Sequence, residues 1–231
     1  MDRDEVRVEA LIQNFFNLGI MRAAAPFLLT GLGMTAMLCL VVVPLGVAGG
    51  LAVALLGSLR RRWIRWPVIA YVDFFRAFPP LVLLIFIYFG LPFVGLDLPA
   101  FAAVALTFLL NTSSYYGEIF RAGIESVGRG QTEAARSTGL GRLQTMAYVV
   151  VPQATRNVLP DLIGNTLEVV KLTSLASVVA LPELLYAARS AQSVTYNPSP
   201  IVLAAAVYFV LLWPAVRALS RLEHRMLAGQ R

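Results

Sequence analysis

Residues 130–152 read GQTEAARSTGLGRLQTMAYVVVP, a polar and basic stretch set between long apolar segments. Locally it reads as two short helices joined by a hinge. Thr132 suits an N-cap, and Glu133 would then stand in the first turn, where a carboxylate complements the helix dipole. Ala134, Ala135 and Arg136 favour helix. Gly139 suits the left-handed residue that ends such a helix, and Leu140 can fold back onto it. Leu140, Leu143 and Ala147 recur at helical spacing and give the second piece one apolar stripe. Two amphipathic pieces between membrane spans can lie along the membrane surface and present a face to a partner.

The composition agrees with a membrane setting. Of 231 residues, 58% are hydrophobic and only 14% charged, against roughly 25% charged in a soluble domain. The net charge is +6. The arginines gather at the ends of apolar runs, as the positive-inside rule requires, so the excess is assigned to membrane orientation and no nucleic-acid partner is expected. The single cysteine, Cys39, lies inside an apolar run and excludes an internal disulfide. The acidic, mixed start MDRDEVRVEA is unlike a cleavable signal. Residues 1–25 are read as a periplasmic or interfacial amphipathic segment.

A span needs about 20 mostly apolar residues. Residues 23–59 carry no charge, and span 1 is placed at 27–57 with tilt or a kink at Pro44. Arg60, Arg61, Arg62 and Arg65 follow on the cytoplasmic side, with Trp63 and Trp66 at the interface. Span 2 is placed at 68–90. Asp73 and Arg76 lie three apart and can pair, and Pro79 and Pro80 should break or bend the helix. Span 3 is placed at 99–124 and carries a second candidate ion pair, Glu118 with Arg121. A basic loop, 126–160, returns the chain to the inside.

Span 4, at 161–182, is unusually polar: Asn165, Thr166, Glu168, Lys171, Thr173, Ser174 and Ser177. A charge at mid-helix costs roughly 2.5–3.5 kcal/mol on insertion scales. Glu168 and Lys171 are therefore expected to pair and to face protein or a polar cavity. Asn165, Glu168, Lys171, Thr173 and Ser174 form the candidate solute path, with an ion pair that bridges helices as the other reading. Residues 182–200 read as an outside loop. Span 5 is placed at 201–219, and the arginine-rich tail, 223–231, is cytoplasmic. The resulting fold class is all-α, an integral membrane bundle of five helices with the N-terminus outside and the C-terminus inside.

No group in the sequence suggests covalent chemistry. The only lysine, Lys171, follows Val170, where a phosphate-binding loop needs glycine. The only histidine, His224, sits in the basic tail with no cysteine or second histidine nearby. No catalytic residue and no metal ligand set is expected.

The opening stretch also resembles a family signature. Permease subunits of bacterial ATP-binding-cassette importers carry a cytoplasmic loop of the form E-A-A, three residues, Gly, nine residues, two aliphatics one residue apart, Pro. Here these are Glu133-Ala134-Ala135, Gly139, Val149, Val151 and Pro152. SSYYGEIFRAGIESVGRGQTEAA (113–135), VPQATRNVLPDL, KLTSL (171–175), FFRAFPPLVLL (74–84) and TGLGMTAML look like further segments of the polar amino-acid permeases, in their usual order. The resemblance covers about residues 27–222. The chain departs from the pattern at Ala77 and Phe78, which replace Gly-Thr, at Leu83, at Leu172 and at Gly128.

The resemblance implies a docking role for Glu133, Ala134, Ala135, Gly139, Leu140, Leu143 and Pro152 against a cytoplasmic ATPase dimer. That dimer would bind the ATP, so no cofactor belongs to this chain. It further implies a second permease subunit, identical or homologous, and an extracytoplasmic solute-binding protein. The solute expected is a polar amino acid, with an opine or a methionine-like solute as alternatives. An ion-coupled secondary transporter is the rival class. Its mark would be paired inverted repeats.

Overall fold

A computed structural model describes residue 9, residues 11–59 and residues 61–228. Residues 1–8 and 10 of the expected N-terminal segment, Arg60 and the last three residues of the tail lie outside the described residues. The fold is a bundle of helices, with no strand among the described residues.

Helix α1 (Leu18–Gly57) is 40 residues long, about 60 Å at 1.5 Å per residue. It starts earlier than residue 27 because the Asn17 side chain caps it, accepting from the Ile20 amide at 3.1 Å. Residues 18–25 thus belong to α1 and not to a separate amphipathic segment. Helix α2 (Arg62–Ala77) and helix α3 (Pro80–Ile85) follow, and α3 continues through a π-type turn (Phe86–Gly90) and a 3-10 turn (Leu91–Val94). The two arms meet at an angle of 101°. Span 2 is therefore broken where Pro79 and Pro80 stand, as their missing amides dictate.

That break leaves carbonyls of the last turn of α2 without partners in their own helix. Helix α4 (Ala100–Ser126) supplies them. Asn111 donates its side-chain amide to the Phe75 carbonyl at 3.0 Å, and the Tyr115 hydroxyl donates to the Arg76 carbonyl at 3.4 Å. Tyr71 completes the join by donating to the Leu110 carbonyl at 3.1 Å. A broken helix is tolerated in a membrane where protein satisfies the freed backbone, and here it does.

The most extensive packing in the bundle joins α1 to α4. Small residues allow it. A Cβ on Gly50 would lie 2.3 Å from the Tyr116 Cβ, and one on Gly117 would lie 2.7 Å from Val53 Cγ1. This is the close approach that small-xxx-small spacing permits between membrane helices. Leu38, Val42, Phe108 and Tyr116 fill the core of the contact.

The connecting loop contains α5 (Arg129–Ser137), α6 (Arg142–Thr145), a π-type turn (Met146–Val150) and α7 (Val151–Asn157). Helix α8 (Leu159–Leu172) runs on through a 3-10 segment to Val179. Residues 182–200, expected to be a loop, contain the 12-residue helix α9 (Leu184–Thr195). Glu183 caps it through its own carboxylate, which explains why this short stretch becomes helix. Helix α10 (Ser199–Ala228) closes the bundle.

The two ends of the bundle are distinct. The start of α1 meets the start of α10: the Asn17 amide donates to Ser199 Oγ at 3.0 Å, and Asn197 donates to the Gln13 carbonyl at 2.9 Å. At the other end, the last turn of α1 shares a groove with the loop containing α5 and α6. Among the described residues three helices are long and apolar enough to cross a membrane, and the broken α2–α3 pair would make a fourth. Helix α4, at 27 residues, is long enough to cross but carries Glu118, Arg121 and Glu125.

Candidate functional site: the loop between α4 and α8 and the polar face of α8

Helix α5 begins at Arg129 behind Gly128, so Thr132 is inside the helix and not its cap. The extended Gly128 ends the link from α4, and the chain turns helical at once. The helix ends at Gly139, whose φ is +91°. The Gly139 amide donates to the Arg136 carbonyl at 3.1 Å and the Leu140 amide donates to the Ala135 carbonyl at 3.4 Å. These two bonds are the Schellman arrangement, which satisfies carbonyls that a helix end otherwise leaves bare. Ala135 is buried and Leu140 half-buried against it, while Glu133 and Ala134 are exposed.

Helix α6 restarts two residues on. Gln144 caps it by accepting from the Gly141 amide at 2.9 Å. Leu143 projects from it 82% exposed and Tyr148 follows 73% exposed. Both apolar side chains thus stand bare on the loop that carries Arg136 and Arg142. Pro152, also exposed, opens α7. Asn157 ties α7 back to α4 by donating to Ser126 Oγ at 2.8 Å. The Gly123 backbone lies against Ala154, since a Cβ there would come 2.9 Å from the Ala154 carbonyl. These contacts join the loop to α4.

On α8, Glu168 and Lys171 form an ion pair. Their side chains are 64% and 52% exposed, so the pair faces away from this chain's own core. The protein or cavity expected to cover them is not provided by the described residues of this chain. Ser174 lies three residues further on, half-buried. Thr173 does not join this face: it is fully buried and donates to the Val170 carbonyl at 2.7 Å. The amide nitrogen of Asn165 is buried without a hydrogen-bond partner among the described residues. Next to it, Thr166 meets the Tyr116 hydroxyl at 2.8 Å, joining α8 to α4.

The acidic and basic groups of α2 and α4 are arranged differently from the expected pairs. Asp73 and Arg76 are not paired. Arg76 lies instead 3.9 Å from Glu118, and its guanidinium stacks over the Tyr115 ring. Glu118 binds Arg121 through two hydrogen bonds, and Arg121 reaches on to Glu125 at 2.6 Å. Glu118 is the nearer partner for Arg76 because α4 runs alongside the last turn of α2. Glu118, Arg121 and Glu125 line a cavity of about 550 Å³ between α1, α2 and α4, together with Arg65 and Asp73.

One buried group escaped the sequence reading. Glu183 is fully buried and accepts from the Leu185 amide at 2.9 Å, the Tyr186 amide at 2.6 Å and the Tyr208 hydroxyl at 3.3 Å. Thr35 of α1 adds a fourth link, accepting from the Leu184 amide at 3.1 Å. Together these bonds bind α1, α9 and α10. An acid directly ahead of the helix-favouring run LLYAARSA was the available signal, an N-cap pattern.

The chain is a helical bundle with a broken second helix, a polar helix α8 and an exposed two-helix loop, and comparison with known proteins places it in the transport class and gives the family. Residues 46–228 match the family described as "Binding-protein-dependent transport system inner membrane component", and the chain belongs to that family. It is 37% identical over 174 residues to the probable amino-acid ABC transporter permease protein YckA of Bacillus subtilis (strain 168), covering 75% of this chain and 77% of that protein. It is 32% identical over 210 residues to the glutamine transport system permease protein GlnP of Escherichia coli (strain K12), covering 88% and 94%. Its fold superposes with a TM-score of 0.80 on a crystal structure of an amino acid ABC transporter with histidines, at 38% identity and covering 89% and 96%. Membership makes this a multi-pass inner-membrane component, and proteins of this kind work with an ATPase and a binding protein.

Proposed function

We propose that this chain forms the membrane path for a polar amino acid in an ATP-binding-cassette importer. The observation that carries the reading is the exposed loop of α5 and α6, turned at Gly139 and presenting Leu143, within the family of importer permeases. The loop from Glu133 to Leu143 docks on a cytoplasmic ATPase dimer, which binds and hydrolyses the ATP. Pro152 starts the helix that carries the loop's motion to α4.

Five spans follow if the broken α2–α3 pair and α4 both cross. The N-terminus is then outside and the C-terminus inside, and Arg61, Arg65, Arg129, Arg142 and Arg156 gather on the cytoplasmic side. The exposed Glu168–Lys171 face meets a second permease subunit, identical or homologous, so that Asn165, Glu168, Lys171 and Ser174 border the path between them. A zwitterion needs a partner for each sign, and this pair offers both. A solute-binding protein delivers from outside. Closure of the ATPases moves the docking loops, which rock the helices and expose the path alternately.

The reading is tested in proteoliposomes that hold the permease, its ATPase and labelled amino acids with the binding protein. ATP-dependent uptake of a polar amino acid is expected. Uptake driven by an ion gradient without ATP would overturn the proposal in favour of secondary transport.

A further inference from the structure

A groove of about 700 Å³ separates the last turn of α1 from the loop containing α5 and α6. Its walls are mainly apolar, with Leu55, Leu56 and Leu59 on one side and Met146, Ala147 and Val150 on the other. Arg136 and Arg142 line it as well, and no acidic residue does. Neither arginine forms an ion pair among the described residues. The groove sits where α1 ends, and Trp63 and Trp66 begin α2 there, 92% and 69% exposed. Exposed tryptophans at a span's end mark the membrane–water boundary.

We infer that this groove binds an anionic phospholipid of the adjacent leaflet, one acyl chain against the leucines and the phosphate between Arg136 and Arg142. The inference rests on the proposed membrane orientation, in which this leaflet is the cytoplasmic one. The chemistry is complementary at both ends. An acyl chain covers apolar surface that water would otherwise meet. Two arginines present donor forks matched to phosphate, and a basic pocket at a span's cytoplasmic end favours anionic headgroups. A soluble acidic ligand would leave the leucine wall uncovered, and a zwitterionic lipid such as phosphatidylcholine would bring a choline cation beside the two arginines along with its phosphate, so it would neutralise them less well. A lipid seated there touches both α1 and the docking loop, so it would steady the loop against the bundle.

The test uses the purified permease, alone and with its ATPase, stripped of lipid in detergent. Dioleoyl phosphatidylglycerol and dioleoyl phosphatidylcholine are titrated separately, and bound lipid is counted by native mass spectrometry. Phosphatidylglycerol should bind at least about tenfold more tightly, as two basic groups at an anionic headgroup imply. Arg136→Gln with Arg142→Gln should lower it to the phosphatidylcholine level, and Arg136→Lys with Arg142→Lys should retain most of the preference. Ala147→Trp, which fills the groove, should weaken both lipids. Equal affinity for the two lipids in the native sequence, or a preference that survives the glutamine pair, would overturn the site. Expulsion of phosphatidylglycerol on adding the ATPase would also overturn it and assign the groove to the ATPase. Failure of ATP-dependent uptake is a separate readout and bears only on the proposed transport function.

Discussion

Gly31 of α1 and Glu183 meet backbone to backbone. A Cβ on Gly31 would stand 2.8 Å from the Glu183 carbonyl oxygen and 2.9 Å from the Ala187 Cβ. Neither neighbour is the free end of a flexible side chain, so the helices must move apart to admit a methyl group. Gly31→Ala should destabilise the permease by roughly 1–3 kcal/mol, the usual range for overpacking. Gly33, two residues on, has nothing within 4 Å of its Cβ position. Gly33→Ala should be neutral or slightly stabilising, since alanine favours helix. Thermal unfolding of the two variants in detergent checks the difference. Equal midpoints would show that the α1–α9 contact yields freely.

The Glu183 carboxylate gives a second prediction. Glu183→Ala leaves the part-buried Leu185 and Tyr186 amides without their acceptor. Loss of a cap typically costs about 1 kcal/mol, and a buried group left unsatisfied about 1–3 kcal/mol. Glu183→Gln keeps one acceptor oxygen and should lose less. The expected order of stability is native, then Gln, then Ala, read from unfolding midpoints and from the amount of inserted protein. An alanine variant as stable as the native protein would show that the knot joining α1, α9 and α10 contributes little.

Gly139 supplies the third. With φ at +91° and open space around its Cβ position, its constraint is the backbone and not crowding. A β-branched residue in that region costs of order 1–3 kcal/mol. Gly139→Val should break the Schellman turn, reposition Leu143 and reduce ATP-dependent uptake several-fold while insertion stays normal. Gly130, also with open space but with no positive φ, is the control, and Gly130→Ala should keep its uptake. Uptake at the native rate in Gly139→Val would rule out a role for the turn.

Much of this architecture is legible locally. Gly139 followed by Leu140 predicts a helix end because the turn needs only neighbours in sequence. Pro79 and Pro80 predict the break because the missing amides are intrinsic. Tertiary relations were not legible in the same way. The three-residue spacing of Asp73 and Arg76 suggested a pair, but Glu118 arrives from a different helix and takes the arginine. Thr173 and Lys171 are near in sequence, yet the 3-10 turn puts one inside the chain and the other on its surface. Glu183 looked like a loop acid because proline and serine flank its segment, and its burial depends on Thr35 and Tyr208, far away in sequence. The start of α5 was misplaced by four residues because Thr132 is a better cap than Gly128 on propensity alone.

The Glu168–Lys171 pair separates a structural role from a transport role. In the double variant Glu168→Lys with Lys171→Glu the mutual attraction is retained, and a purely structural pair should keep most of its uptake. If the pair contacts the solute, uptake should fall by about tenfold or more, as expected when charge partners of a bound zwitterion are reversed, while the protein still inserts and copurifies with its ATPase. Retained uptake with unchanged solute preference would remove the pair from the path.

The central claim is that the loop carrying Leu143 docks on the ATPase, and photo-cross-linking tests it most directly. A photoreactive phenylalanine is placed at Leu143, and at Tyr196 as a control, which is 94% exposed near the opposite end of the bundle. With both subunits expressed in one membrane, irradiation at position 143 should capture the ATPase and position 196 should not. Capture of the ATPase from position 196, with none from position 143, would contradict both the docking site and the orientation proposed for the chain.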